Sequence, residues 1–178
     1  MKNFLKDTDV KRILFITLSN IGDVILTIPT LESLHLKYPN ALFDIVGDNR
    51  SRIIFKYCPY MNNFFEKDKD LGWYGVLFLI KSLRQENYDL AVDLRSDVLL
   101  YFIKSKKKLF KASNKSSQNL HSAEKHFLSV KKIIQNIPSL TNIWLSNYEN
   151  ELSRQIFNKY SNENFLAFGL GANFDGKI

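Results

Sequence analysis

Cysteine is almost missing: Cys58 is the only one in 178 residues. No internal disulfide and no Cys-Cys metal pair can form, which fits a reducing compartment. Histidine is scarce as well, and His35, His121 and His126 are too scattered to suggest a metal site. No apolar run approaches the roughly 18 residues of a spanning helix. The start, Met1-Lys2-Asn3-Phe4-Leu5-Lys6-Asp7, puts charges where a signal peptide has its apolar segment. These absences predict a cytoplasmic chain, neither exported by that route nor anchored by a helix. No repeat at a period of 20 to 50 residues and no low-complexity tract is visible.

What is present describes a chain that folds. Hydrophobic residues make up 45% and charged residues 24%, close to ordinary globular proteins and far from disorder. The length suits one core plus a tail. The net charge of +7 is uneven, because residues 101–135 hold nine lysines against a single acid, Glu124. Lys104, Lys106, Lys107, Lys108 and Lys111 are its densest part. Such a run is either a solvated face or a contact for an anionic membrane or phosphorylated glycolipid. Nucleic acid is not expected, since no recognisable binding module accompanies the lysines.

The hydrophobic pattern alternates strand and helix. Ile13 to Thr17 reads as a buried parallel strand, followed by a turn at Ser19-Asn20 and a helix from Gly22 to Leu36, in which Pro29 predicts a kink. Strands follow at Leu42–Val46 and Asn63–Glu66, with helices at Ser51–Tyr57 and Trp73–Gln85. A second strong strand, Leu90–Leu94, precedes a helix from Asp97 to Ile103, a short strand near Leu109-Phe110 and a helix from His121 to Gln135. This order predicts an α/β fold, a Rossmann-like parallel sheet with helices on both faces. Trp73, Tyr74 and Phe78 share helical spacing with Leu77 and are expected in the core rather than as a sugar platform. Cys58 is expected to be a small buried residue.

The boundaries read as a first domain over 1–137, a linker and connecting helix over 138–162, and the first strand and loop of a second domain over 163–178. Phe165 to Phe168 is the strand, and Gly169-Leu170-Gly171-Ala172-Asn173 the loop, so a truncated second domain is expected.

In open parallel sheets, ligands gather at the carboxyl ends of strands. Ser19-Asn20-Ile21-Gly22-Asp23 occupies that position after the first strand. Gly22 permits a close turn, the hydroxyl, amide and backbone N–H groups can hold a polar ligand, and the Asp23 carboxylate can take a proton from a sugar hydroxyl. A plainer reading of Asp23 is a helix cap. One glycine, without a Gly-Lys-Ser/Thr, is neither a dinucleotide fingerprint nor a phosphate loop. Asp93, Arg95 and Asp97 after the second strong strand are either contacts for hydroxyls and phosphates or a surface ion-pair cluster. His121 either faces the cleft or simply begins a helix, and His126 is the weaker candidate of the two.

The stretch Arg12-Ile13-Leu14-Phe15-Ile16-Thr17-Leu18-Ser19-Asn20-Ile21-Gly22-Asp23-Val24-Ile25-Leu26-Thr27-Ile28-Pro29, with Leu34 and Tyr38-Pro39, resembles the N-terminal signature of glycosyltransferase family 9, the ADP-heptose:lipopolysaccharide heptosyltransferases. Tyr88 to Asp97 resembles the family's second strand and loop, His121 with Glu124 its His-bearing helix start, and Phe168 to Lys177 the opening of its C-terminal domain, with Leu170 where that family has proline. The resemblance implies the N-terminal, acceptor-binding half of a GT-B enzyme, in which two Rossmann-like domains face a cleft.

It implies that Asp23 is the base for inverting attack, that Ser19, Asn20 and Gly22 position the acceptor, and that Lys177 touches the donor diphosphate; Asp93, Arg95 and His121 are the further acceptor contacts expected from their positions. The substrates it implies are a nucleotide sugar such as ADP-heptose and a lipopolysaccharide-core or other glycolipid acceptor. No cofactor and no metal are implied, and the basic segment from Lys104 to Lys111 would then favour peripheral contact with an anionic membrane. A rival reading is a catalytically silent fragment that holds an acceptor without a donor domain.

Overall fold

The computed structural model describes residues 10–68, 70–95, 98–112, 119–136, 142–160, 164 and 166. The chain divides into two compact units, 1–144 and 145–178. Among its described residues the first contains five strands, β1 (Arg12–Ile16), β2 (Leu42–Gly47), β3 (Met61–Glu66), β4 (Tyr88–Asp93) and β5 (Ser105–Phe110). All pairs are parallel, in the order β3-β2-β1-β4-β5. The described helices that connect them or follow are α1 (Ile21–Ile25), α2 (Ile28–Lys37), α3 (Asn49–Phe55), α4 (Gly72–Leu83), α5 (Leu99–Phe102) and α6 (Ser122–Phe127).

Strand alternation divides the core in two. Ile13 and Phe15 of β1 join Leu31, Leu34, Phe43, Ile45, Phe55 and Phe127 on the face covered by α1, α2, α3 and α6. Leu14 and Ile16 point the other way, into Val46, Leu79, Leu83, Ala91 and Leu100 beneath α4 and α5. A strand buried on both sides reads as an unbroken apolar run, which is why the β1 segment shows no polar alternation. Phe15, Phe43 and Phe55 are fully buried, each contributing about 2–3 kcal/mol through removal from water.

Several elements differ from the sequence expectation. The helix expected from Gly22 to Leu36 is two helices, because Thr27 closes the first turn instead of continuing it. Its hydroxyl donates to Val24 O at 2.7 Å, and it shares a 2.8 Å hydrogen bond with the Thr17 hydroxyl. Pro29 then falls in the opening turn of α2, where its missing N–H is harmless, so it starts a helix instead of kinking one. The two-residue strand at Leu109-Phe110 is the end of a six-residue strand, since parallel pairing with β4 reaches back to Ser105. The helix from His121 to Gln135 stops at Phe127 and continues as turns, and the helix before β5 is limited to Leu99–Phe102.

Trp73, Tyr74 and Phe78 are exposed rather than packed in the core, together with Leu77. α4 is apolar on more than one side, and it is the stripe of Gly75, Leu79 and Leu83 that turns inward. Cys58 is buried as expected, and burial pushes its thiol up to about 11.

In the second unit, α7 (Asn147–Lys159) begins at a capping box: Ser146 Oγ accepts from Glu149 N–H, and the Glu149 carboxylate accepts from Ser146 N–H at 2.7 Å. Phe165, Ala167 and Phe168 of the expected strand, its glycine loop and Lys177 lie outside the described residues, as do Ser96 and Asp97.

Candidate functional site

The sheet order fixes where a ligand can enter. From β1 the chain moves outward through β2 and β3, then returns to place β4 on the other side of β1. The connections after β1 and β4 therefore diverge, leaving a crevice at the carboxyl ends of these two strands. Leu94 N–H donates to Ile16 O at 3.1 Å, and Thr17 N–H donates to Val46 O at 2.9 Å. These bonds hold the three strand ends level beneath the Ser19–Asp23 loop.

Asp23 sits in the first turn of α1 and is exposed. Its carboxylate accepts from the Asn20 side-chain amide at 3.3 Å, rather than from a backbone N–H of the helix. The capping role is thus not what orients it. Asn20 is the N-cap residue and makes no side-chain cap itself. Gly22 differs from expectation: it lies within α1, and nothing stands within 4 Å of the position a Cβ would take. No tight turn or close packing requires glycine there.

Asp23 lines a pocket of about 290 Å³ with Leu18, Lys111, Ser122, Lys125 and His126. Three separate parts of the chain meet there: the segment after β1, the segment after β5, and α6. Ser122, Lys125 and His126 are spaced i, i+3, i+4, so one helix face delivers all three. His126 is buried and its Nδ1 has no hydrogen-bond partner. Burial, then Lys111, pushes its pKa below the ordinary 6.5, while Asp23 pulls the other way. Burial and the Lys111 ammonium thus favour the neutral imidazole, against the pull of the Asp23 carboxylate.

His121 has a different place. It is the N-cap of α6, its Nδ1 accepting from Ala123 N–H at 3.4 Å while the Glu124 carboxylate accepts from His121 N–H at 2.9 Å. It does not line the pocket, and the family-like His-x-x-Glu spacing is satisfied by this capping box. Asp93 ends β4 fully buried, and its carboxylate accepts from Arg95 N–H at 2.8 Å. Asp93 and Arg95 flank the crevice from β4 without lining the Asp23 pocket. Ser19 is half-buried on the loop.

Sequence reasoning did not single out Ser122 and Lys125, which line this pocket, and ranked His126, which also lines it, below His121. The i, i+4 relation of Ser122 and His126 was available, but which face of α6 turns to the crevice depends on how that helix docks.

No family model matches the chain. Over 78 residues it is 35% identical to lipopolysaccharide heptosyltransferase 3 of Escherichia coli (strain K12), a match over 41% of this chain and 23% of the relative. Among solved structures, a glycosyl transferase family 9 protein from Veillonella parvula superposes with a TM-score of 0.69 at 17% identity, covering 88% of this chain and 51% of the other. E. coli heptosyltransferase WaaC with ADP gives 0.60 at 17% identity over 72% and 49%. E. coli ADP-heptose lps heptosyltransferase II gives 0.59 at 19% identity over 82% and 50%. The chain spans about half the length of these solved structures and less than a quarter of the curated relative. The fold is that of one half of these glycosyltransferases.

Proposed function

We propose that this chain is the N-terminal, acceptor-binding half of a heptosyltransferase-type glycosyltransferase, working with a donor-binding domain whose opening is residues 163–178. The observation that carries the reading is the Asp23 carboxylate: exposed at the carboxyl edge of β1, oriented by Asn20 and lining a pocket with two lysines. A carboxylate placed so can accept the proton of a bound sugar hydroxyl. The acceptor oxygen then forms its bond to the anomeric carbon of an ADP-sugar while the bond from that carbon to the diphosphate oxygen breaks, inverting the centre and releasing ADP. Lys111 and Lys125 give the pocket a positive rim suited to an anionic lipopolysaccharide-core acceptor. Ser19 and Asn20 shape the loop beside the acceptor, Asp93 and Arg95 bound it from β4, and Lys177 is assigned to the leaving diphosphate. The acceptor is lipid-linked, so the chain works at the cytoplasmic face of a membrane.

The test is sugar transfer from ADP-heptose to a water-soluble, delipidated core acceptor, with a donor domain supplied. Asp23→Asn should lower kcat by about a hundredfold or more, the range expected for loss of a general base, with acceptor KM little changed. Equal rates for the two proteins would remove Asp23 as the base.

A further inference from the structure

The outward side of α4 and α5 is apolar where a solvent face is ordinarily polar. Trp73 is 76% exposed, Tyr74 84%, Leu77 61% and Phe78 71%, and Val98, Tyr101 and Phe102 on the α5 side are also more than half exposed. Helical spacing places Trp73, Tyr74, Leu77 and Phe78 on one arc, with Lys81 and Arg84 continuing it. The two helices adjoin: Trp73 and Val76 of α4 share a pocket of about 250 Å³ with Val98 and Leu99. The aromatic surface runs on to the edge strand, where the Tyr101 and Phe110 rings lie 5.1 Å apart and the Lys108 ammonium reaches Tyr101 O at 3.5 Å. So large an exposed apolar patch marks an interaction surface.

Charge identifies the occupant. Leu71 to Gln85 and Val98 to Phe110 contain six cations and no carboxylate. Lys106 is tied to Asp89 at 2.7 Å, and Lys107 is half-buried beside Lys37. Lys81, Arg84, Lys104 and Lys108 then border the apolar patch. A second copy docking through the same face would set these cations against one another, with no acid in either segment to meet them. An anionic bilayer accepts both parts, because tryptophan and tyrosine settle at headgroup depth and lysine and arginine meet lipid phosphates.

We propose that the outer face of α4 and α5 is the surface by which this chain docks on an anionic lipid bilayer, a deepening that rests on reading the acceptor as lipid-linked. Helices joining parallel strands run opposite to them, so α4 and α5 begin at the carboxyl edge of the sheet, the edge that carries Asp23. The Asp23 pocket lies at that edge on the opposite face of the sheet, lined from α1 and α6, so a bilayer against α4 and α5 leaves it uncovered.

Trp73 reports the contact directly. In a Trp144→Phe chain it is the remaining tryptophan of the two, and its emission should shift to the blue with phosphatidylcholine vesicles containing phosphatidylglycerol and be quenched by acyl-brominated lipid. Since Trp144 packs on Tyr60, co-sedimentation of the unsubstituted chain with the same vesicles provides a second measurement. Trp73→Ser with Phe78→Ser should weaken vesicle binding roughly tenfold or more at unchanged thermal midpoint, and Lys81→Gln with Arg84→Gln should remove the preference for anionic vesicles. Neither pair should alter transfer to the water-soluble acceptor. Absence of vesicle binding in a folded chain, or a dimer in sedimentation that the Trp73/Phe78 pair abolishes, would overturn the proposal. Failure of soluble transfer in the parent would instead overturn the catalytic reading and leave the vesicle result to decide the docking surface.

Discussion

At the scale of single residues, Asp44 carries more of this fold than any residue of the candidate site. It is fully buried in β2, and its carboxylate accepts from Arg12 Nε at 2.8 Å, Asn62 Nδ2 at 3.0 Å, Asn63 N–H at 3.1 Å and the Tyr88 hydroxyl at 3.0 Å. Arg12 also pairs with Glu86. Burial and the Asp44 charge both push the Tyr88 phenol upward, so it stays protonated and donates. Removing a buried charge whose partners remain costs about 3–5 kcal/mol. Asp44→Ala should lower the urea-derived stability by about that much, whereas a change under about 1 kcal/mol would mean that the network behaves as a surface pair. Sequence offered no sign of this: Asp44 stands inside an apolar run, and its partners come from β1, β3 and β4. Asp23 was legible for the opposite reason. It follows a strong buried strand in an alternating pattern, and that position alone places it at the ligand edge.

Among elements, strands were read better than helices. Burial on both faces writes a parallel strand into a handful of consecutive residues, while helix ends depend on side-chain bonds that composition does not reveal. The Thr17–Thr27 hydroxyl pair divides α1 from α2, and the same reading that predicted a kink at Pro29 assumed a continuous helix. α4 was misread because its periodicity is satisfied twice over, and only Gly75, Leu79 and Leu83 are taken by the sheet. The α1 turn offers a test of what its glycine is for. Gly22 has open space around its Cβ position and an ordinary backbone, so Gly22→Ala should hold stability or raise it by about 0.5–1 kcal/mol through helix propensity. A variant that melts no lower yet binds acceptor more weakly would assign Gly22 to ligand approach; a lower thermal midpoint would contradict the open geometry described for α1.

For the molecule as a whole, charge and burial both make acid unfavourable, and they can be separated. His35 and His126 have pKa values below 6.5, each chiefly through burial, with Glu32 opposing in the first case and Asp23 in the second. The unfolded chain takes up a proton near that value which the folded chain declines. Stability is therefore fullest above about pH 6.5 and falls as the pH drops through the window below it. The formal net charge of +7 grows over the same range, and self-repulsion adds to the loss. Salt shortens the reach of repulsion between exposed lysines but leaves desolvation of a buried imidazole almost untouched. Urea midpoints measured between about pH 7.5 and about pH 5.5 should fall at both low and high salt, less steeply at high salt. His126→Gln should remove part of the slope that survives salt. A midpoint that becomes flat once salt is added would place the acid sensitivity in surface charge and deny the buried histidines a part in it.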